Sequence, residues 1–176
     1  MQLTRAGYLA DFYVYPGFAL ALAALALAPA PRPWPALACA AGAGLVTWTL
    51  LEYVLHRWLF HRVSWIREQH EAHHRDPQAF VGTPTWLSLL AISALVMLPS
   101  LLEWGVAIGS SFTAGLALGY LWYAAVHYAV HHWRATPGSA LFRLKRLHAM
   151  HHHREAAANF GVTTPFWDRV FRTSSR

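Results

Sequence analysis

Four long apolar runs, near residues 12–30, 34–55, 85–102 and 105–126, constrain this chain more than any other feature. A hydrocarbon core of about 30 Å takes about 20 residues of helix, and a helix pairs its own backbone groups where no water can. Links at 31–33 and 103–104 are too short for anything but a turn, so the runs pair into two helical hairpins. Only 12% of residues are charged, about half the roughly 25% of a soluble domain. The expected fold is all-α. It is a multi-pass membrane protein of four transmembrane helices in one membrane-embedded domain, 1–176, with segments 56–83 and 127–176 as a helical cap on one side.

Charge sets the orientation. Of the 14 Lys and Arg, 13 flank the runs on one side: Arg5; Arg57, Arg62, Arg67 and Arg75; and Arg134, Arg143, Lys145, Arg146, Arg154, Arg169, Arg172 and Arg176. Arg32 stands alone opposite. Positive residues favour the cytoplasmic side, which places both termini and both later segments there. The basic residues are interleaved with Trp, Phe and Leu beside apolar runs, a pattern for lipid headgroups and not for nucleic acid. Arg and Ala richness suits a GC-rich bacterial genome, hence a bacterial inner membrane. Residues 1–30 could also serve as a cleaved signal peptide, since ALAPA resembles a cleavage site; Asp11 and FYVYPGF favour a retained span. The single cysteine, Cys39, excludes an internal disulfide and a cysteine metal site.

All 12 histidines fall within 56–74 and 127–153, as HRWLFH, HEAHH, HYAVHH and HAMHHH. On a helix, positions i, i+3 and i+4 share a face. His70, His73 and His74 therefore converge, as do His148, His151 and His152, while His127 and His131 lie one turn apart. His56 and His61, five apart, need a longer reach or a local distortion. A b-type haem takes one or two axial ligands, fewer than these clusters offer. Imidazole suits Zn, Cu, Fe and Ni, and about ten such ligands suit two metal ions. A transporter would carry ligands along the spans as a path, whereas these begin where the second and fourth runs end. A non-enzymatic membrane metal-binding or transport protein is the alternative outside the enzymes.

The two halves look alike. YVLHRW (53–58) matches YAVHHW (128–133), HEAHH (70–74) matches HAMHH (148–152), and FVGTPTW (80–86) resembles FGVTTPFW (160–167). Glu52 then occupies the place of His127. A carboxylate that deep in an apolar run costs roughly 2.5–3.5 kcal/mol on insertion scales. It is expected to hydrogen-bond the outer nitrogen of a ligand histidine; pairing with Arg57 is the plainer alternative, and direct ligation the third.

Over roughly residues 50–173 these motifs, in this order and with the tail NFGVTTPFWDRVF, resemble the fatty acid hydroxylase / sterol desaturase superfamily of membrane non-haem di-iron oxygenases. The tail and the Leu144–Lys145 lead are most similar to the fatty acid and ceramide 2-hydroxylase branch. The resemblance implies two Fe ions, with Zn possible in purified protein, and dioxygen as co-substrate. It implies as ligands His56, His61, His70, His73, His74, His127, His131, His148, His151 and His152, with His132 and His153 left over. The implied reaction is hydroxylation of a lipid C–H bond, on an acyl chain. A desaturase or a sterol or carotenoid hydroxylase of the same superfamily is the alternative. Relatives often carry a fused cytochrome domain for which these residues have no room, so a separate electron donor (cytochrome, ferredoxin or reductase) is expected.

Overall fold

A computed structural model describes residues 1–154 and 156–175. Arg176, counted above with the basic residues after the fourth run, lies outside them. The helices are α1 (Arg5–Leu9), α2 (Asp11–Leu27), α3 (Trp34–Val54), α4 (Ser64–Arg75), α5 (Thr85–Ile92), α6 (Leu98–His132), α7 (Ala140–His153) and α8 (Phe166–Val170). Leu55–Phe60 and Ser93–Met97 are π-helical continuations of α3 and α5. No strand forms among the described residues; Gln2 and Val81 make an isolated antiparallel bridge.

Among the described residues, three helical runs are long and apolar enough to cross a bilayer, against the four spans expected: Arg5–Leu27, Trp34–Phe60 and Thr85–His132. The difference lies in the third, which is 48 residues long. Straight, it would reach about 70 Å, more than twice the bilayer core. It is broken at Gly105, which takes φ 77° and ψ 172°, a backbone state open to glycine and closed to most side chains. A Cβ on Gly109 would strike the backbone of Ser100 and Leu101, so the chain doubles back across the break. Large apolar side chains of these runs, among them Leu20, Val46, Leu90, Leu95 and Leu102, are exposed, as contact with lipid requires.

The chain divides into two compact units, each assembled from separated stretches. One comprises Met1–Leu3, Thr49–Gly82 and Trp122–Arg176, and the other Thr4–Trp48 and Thr83–Leu121. In the second, α3 and α6 approach backbone to backbone. A Cβ on Gly44 would meet the Phe112 carbonyl, and one on Gly115 the Ala41 carbonyl. Gly115 and Gly119 form the small-xxx-small pattern that such contact needs in lipid, where burial supplies no drive between helices. Ser111 adds a hydroxyl bond to the Leu37 carbonyl, 2.7 Å. Asp11 is buried here without an orphaned oxygen: Thr85 Oγ1 donates to Oδ1 at 2.6 Å and Tyr120 OH to Oδ2 at 2.5 Å.

The first unit holds all 12 histidines. Its apolar core gathers Val126, Val130 and Val162, with Tyr123, Leu141 and Leu144 against them. Tyr53 stacks on Phe171 with ring centroids 5.2 Å apart, pinning the C-terminal tail to α3.

Candidate metal centre

Four short elements present the imidazoles. α4 places His70, His73 and His74 on one face, and α7 does the same for His148, His151 and His152. The start of α7 is fixed by Ser139, whose hydroxyl accepts from the Phe142 amide at 3.1 Å, the usual role of serine at a helix start. The last turns of α6 supply His127 and His131. His56 and His61 come from Leu55–Phe60 and the residue after it. The local distortion their five-residue spacing asks for is present there: a π turn repeats at i, i+5, and the two rings lie 5.2 Å apart and nearly parallel.

Two groups result. Nitrogen atoms of His56, His61, His70, His74 and His151 all lie within 4.8 Å of one another, and so do those of His73, His131, His148 and His152. His127 adjoins the second group, its Nε2 being 3.2 Å from that of His131. His74 stacks on His152, centroids 4.1 Å apart, so the groups are neighbours. The matched positions of the two halves separate cleanly. His56, His70 and His74 lie in one group and their counterparts His131, His148 and His152 in the other. The middle residue of each HxxHH crosses over: His73 joins the second-half group and His151 the first-half group. His132 stacks on Tyr128 and His153 is exposed, both apart from the two groups.

Hydrogen bonding alone does not account for this packing. His70 Nε2 has the Nε2 atoms of His56, His61 and His74 at 3.0, 3.1 and 3.0 Å. A ring nitrogen offers one proton or one lone pair, so it cannot bond three others. Both nitrogens of His73 and of His152 are buried with no hydrogen-bond partner, as is Nδ1 of His148; each such group costs roughly 1–3 kcal/mol. A cation at the centre of each group would take up one lone pair from each ring. Nitrogens held about 2.1 Å from one ion would lie about 3 Å or more apart, and the closest observed separations are 2.9–3.2 Å. The donor set therefore fits two metal ions.

Electrostatics agree. Burial, reinforced in most cases by neighbouring imidazoles, holds His73 and His151 at about 4, His74 at about 3 and His152 at about 2; His61, His70 and His148 are lowered too. These rings are neutral at pH 7, the state metal ligation needs.

The outer nitrogens reveal residues that spacing did not single out. His56 Nδ1 donates to the Phe160 carbonyl at 2.6 Å and His151 Nδ1 to the Ala158 carbonyl at 2.7 Å. Phe160 itself packs on His56, His61 and His151. The tail NFGVTTPFWDRVF carried a signal in Asn159, a residue suited to the left-handed φ of 55° it adopts, and in Asp168. Glu52 is buried but reaches no histidine nitrogen among the described residues, nor Arg57. Its Oε1 accepts from the Val162 amide (3.2 Å) and from the Thr163 amide and hydroxyl (2.9 and 2.7 Å). Arg57 donates to Tyr53 OH, 2.8 Å.

Comparisons with known proteins bear on this geometry. The family model described as fatty acid hydroxylase matches residues 41–173. A dihydroceramide fatty acyl 2-hydroxylase of Arabidopsis thaliana is 36% identical over 141 residues, covering 74% of this chain and 58% of the plant protein. A fatty acid 2-hydroxylase of Rattus norvegicus is 34% identical over 142 residues, covering 74% of this chain and 38% of the rat protein. The chain thus spans little more than half the length of the plant relative, and less of the mammalian one. Among solved structures, full-length scs7p, in which only the hydroxylase domain is visible, matches 97% of this chain and 67% of its own at 25% identity, with a TM-score of 0.83.

Proposed function

Because the chain belongs to the fatty acid hydroxylase family, we propose that it hydroxylates the acyl chain of a membrane lipid, at carbon 2, the position in the names of its plant and rat relatives. The observation that carries this reading is the pair of adjacent histidine groups with buried, unpartnered nitrogens. His56, His61, His70, His74 and His151 would hold one iron ion, and His73, His127, His131, His148 and His152 the other; zinc can replace iron in such nitrogen sites. Bound iron supplies the activation of dioxygen for C–H oxidation. In balance, one oxygen atom enters the C–H bond and the other leaves as water, with two electrons and two protons consumed.

The chain's own part is to position and to exclude. Depressed basicity keeps the imidazoles neutral at pH 7, each with one ring nitrogen unprotonated. The carbonyls of Ala158 and Phe160 fix two rings by their Nδ1–H groups, and the Phe160 ring shuts water from one side of the first group. The two electrons are drawn from an electron-transfer partner, a cytochrome, ferredoxin or reductase. The Gly105 break supports division of the third run into two spans, giving four, with both termini and the site on the cytoplasmic face of a bacterial inner membrane by the distribution of basic residues. Both units draw on discontinuous stretches of chain, which supports a single hydroxylase domain.

Lipid profiling tests the function. A bacterial host expressing the chain with an electron donor should accumulate 2-hydroxyacyl lipids, and a host expressing His73→Ala should not. Unchanged lipids in the presence of metal-loaded protein and donor contradict the proposal. Single cysteines placed at Thr136 and Pro33, with Cys39 replaced, should label from opposite sides of the membrane; labelling from one side overturns the four-span topology.

A further inference from the structure

Two buried carboxylates with no part in the reaction as proposed, Asp168 (1% exposed) and Glu52 (3%), converge on one short stretch of chain. Asp168 Oδ1 accepts from the Phe160 amide at 2.9 Å and the Thr173 hydroxyl at 2.8 Å, and Oδ2 from the Gly161 amide at 2.8 Å. Glu52 Oε1 takes the next two amides, Val162 and Thr163, with the Thr163 hydroxyl. Four successive N–H groups are thus turned toward two carboxylates. Gly161 belongs to this arrangement, because a Cβ there would strike the Thr164 carbonyl and Asp168 Oδ2.

The same stretch offers carbonyls to histidines. Those of Ala158 and Phe160 accept from Nδ1 of His151 and His56. A carbonyl can only accept, so in both rings Nδ1 carries the proton and the Nε2 lone pair faces the cluster. Both rings belong to the five-histidine group. In the other group, Nδ1 of His73, His148 and His152 is buried with no partner.

We propose that Asp168 and Glu52 are positioning residues for one metal of the two: they brace 158–163 so that its carbonyls orient His56 and His151, coupling the C-terminal tail to the five-histidine site alone. The proposal rests on the reading of the histidines as metal ligands. It also ranks the two carboxylates. Asn at 168 keeps one accepting oxygen and turns an NH2 toward a donor that the carboxylate satisfied. Gln at 52 can keep all three bonds through one oxygen, because Oε2 has no partner.

Cobalt(II) titration of purified protein, followed by bound metal per chain and by the visible spectrum, tests this without turnover. Wild type should bind two ions. Asp168→Asn should weaken one by about 10- to 100-fold, the effect typical of partners that orient metal-bound histidine, and change that ion's spectrum. Glu52→Gln should stay within about threefold of wild type, and Thr163→Val should fall between. Combined with His131→Ala, which disables the other group, Asp168→Asn should remove most of the remaining cobalt; combined with His61→Ala it should change little. Equal weakening of both ions by Asp168→Asn, or of neither, overturns the proposal. Should Asp168→Asn fail to fold by circular dichroism, Thr163→Val decides on the same criterion. A wild type that binds no cobalt defeats the ligand reading itself.

Discussion

The five-histidine group and the group around His131 draw on the same matched positions of two similar half-chains, yet they are finished differently. Each takes three matched histidines from its own half and one from the other, His151 and His73 being exchanged. The remaining histidine has no match. In the first half it is His61, brought into register by a π turn; in the second it is His127, one regular turn before His131. The outer faces diverge further: carbonyls orient two rings of the first group, while the second keeps buried Nδ1 atoms without partners. Glu52 and His127 occupy one place in the repeat, and the first braces a loop where the second joins the cluster. A duplicated ligand pattern therefore need not give two equivalent sites.

The largest effect should come from breaking the exchange. His73→Ala or His151→Ala each deprives the opposite group of its crossing ligand. Either should lower hydroxylation more than about 100-fold, beyond the range of an outer hydrogen-bond partner, with metal content reduced as well. Wild-type turnover in either variant would break the crossed assignment. Removing the unmatched ligands sharpens the comparison. His61→Ala and His127→Ala should each cost at least about 10-fold in metal affinity, each at a different ion; retention of both ions by His127→Ala would leave the second group with four ligands.

Acid should act next. Folded, metal-free His73 and His151 titrate at about 4 and His74 at about 3, against about 6.5 when unfolded. The unfolded chain takes protons first, so this stability is complete above about pH 6.5 and is lost as pH falls toward 4 and below. The thermal midpoint of the metal-free protein should be flat above pH 7 and decline between 6.5 and 4. A midpoint that rises on acidification contradicts the burial of neutral imidazoles. The smallest effect belongs to His132→Ala and His153→Ala, which should stay within about twofold in activity and metal content, because neither ring belongs to the two groups.

Much of this was readable beforehand because it is periodic. The apolar runs, the i, i+3, i+4 spacing of His70, His73 and His74, and the match between halves all repeat at intervals that geometry interprets. What escaped was not periodic. Which histidine crosses between groups depends on packing between α4 and α7, and no spacing in HEAHH distinguishes His73 from His74. The carbonyls of Ala158 and Phe160 are backbone groups that any residue could supply. Glu52 was legible as a buried carboxylate with work to do, but its partner lies 110 residues away in a turn, at Val162. The five-residue gap between His56 and His61 did demand a distortion, and the π turn supplies it. The turn expected at 103–104 falls beside the break at Gly105, whose positive φ shows only in the backbone.

Metal content of the purified protein tests the central claim most directly. Elemental analysis of wild type loaded with iron or zinc should find two ions per chain, falling to one when His61 and His70 are both replaced by Ala. Less than one ion per chain in the wild type, with the protein folded, contradicts the two-metal account.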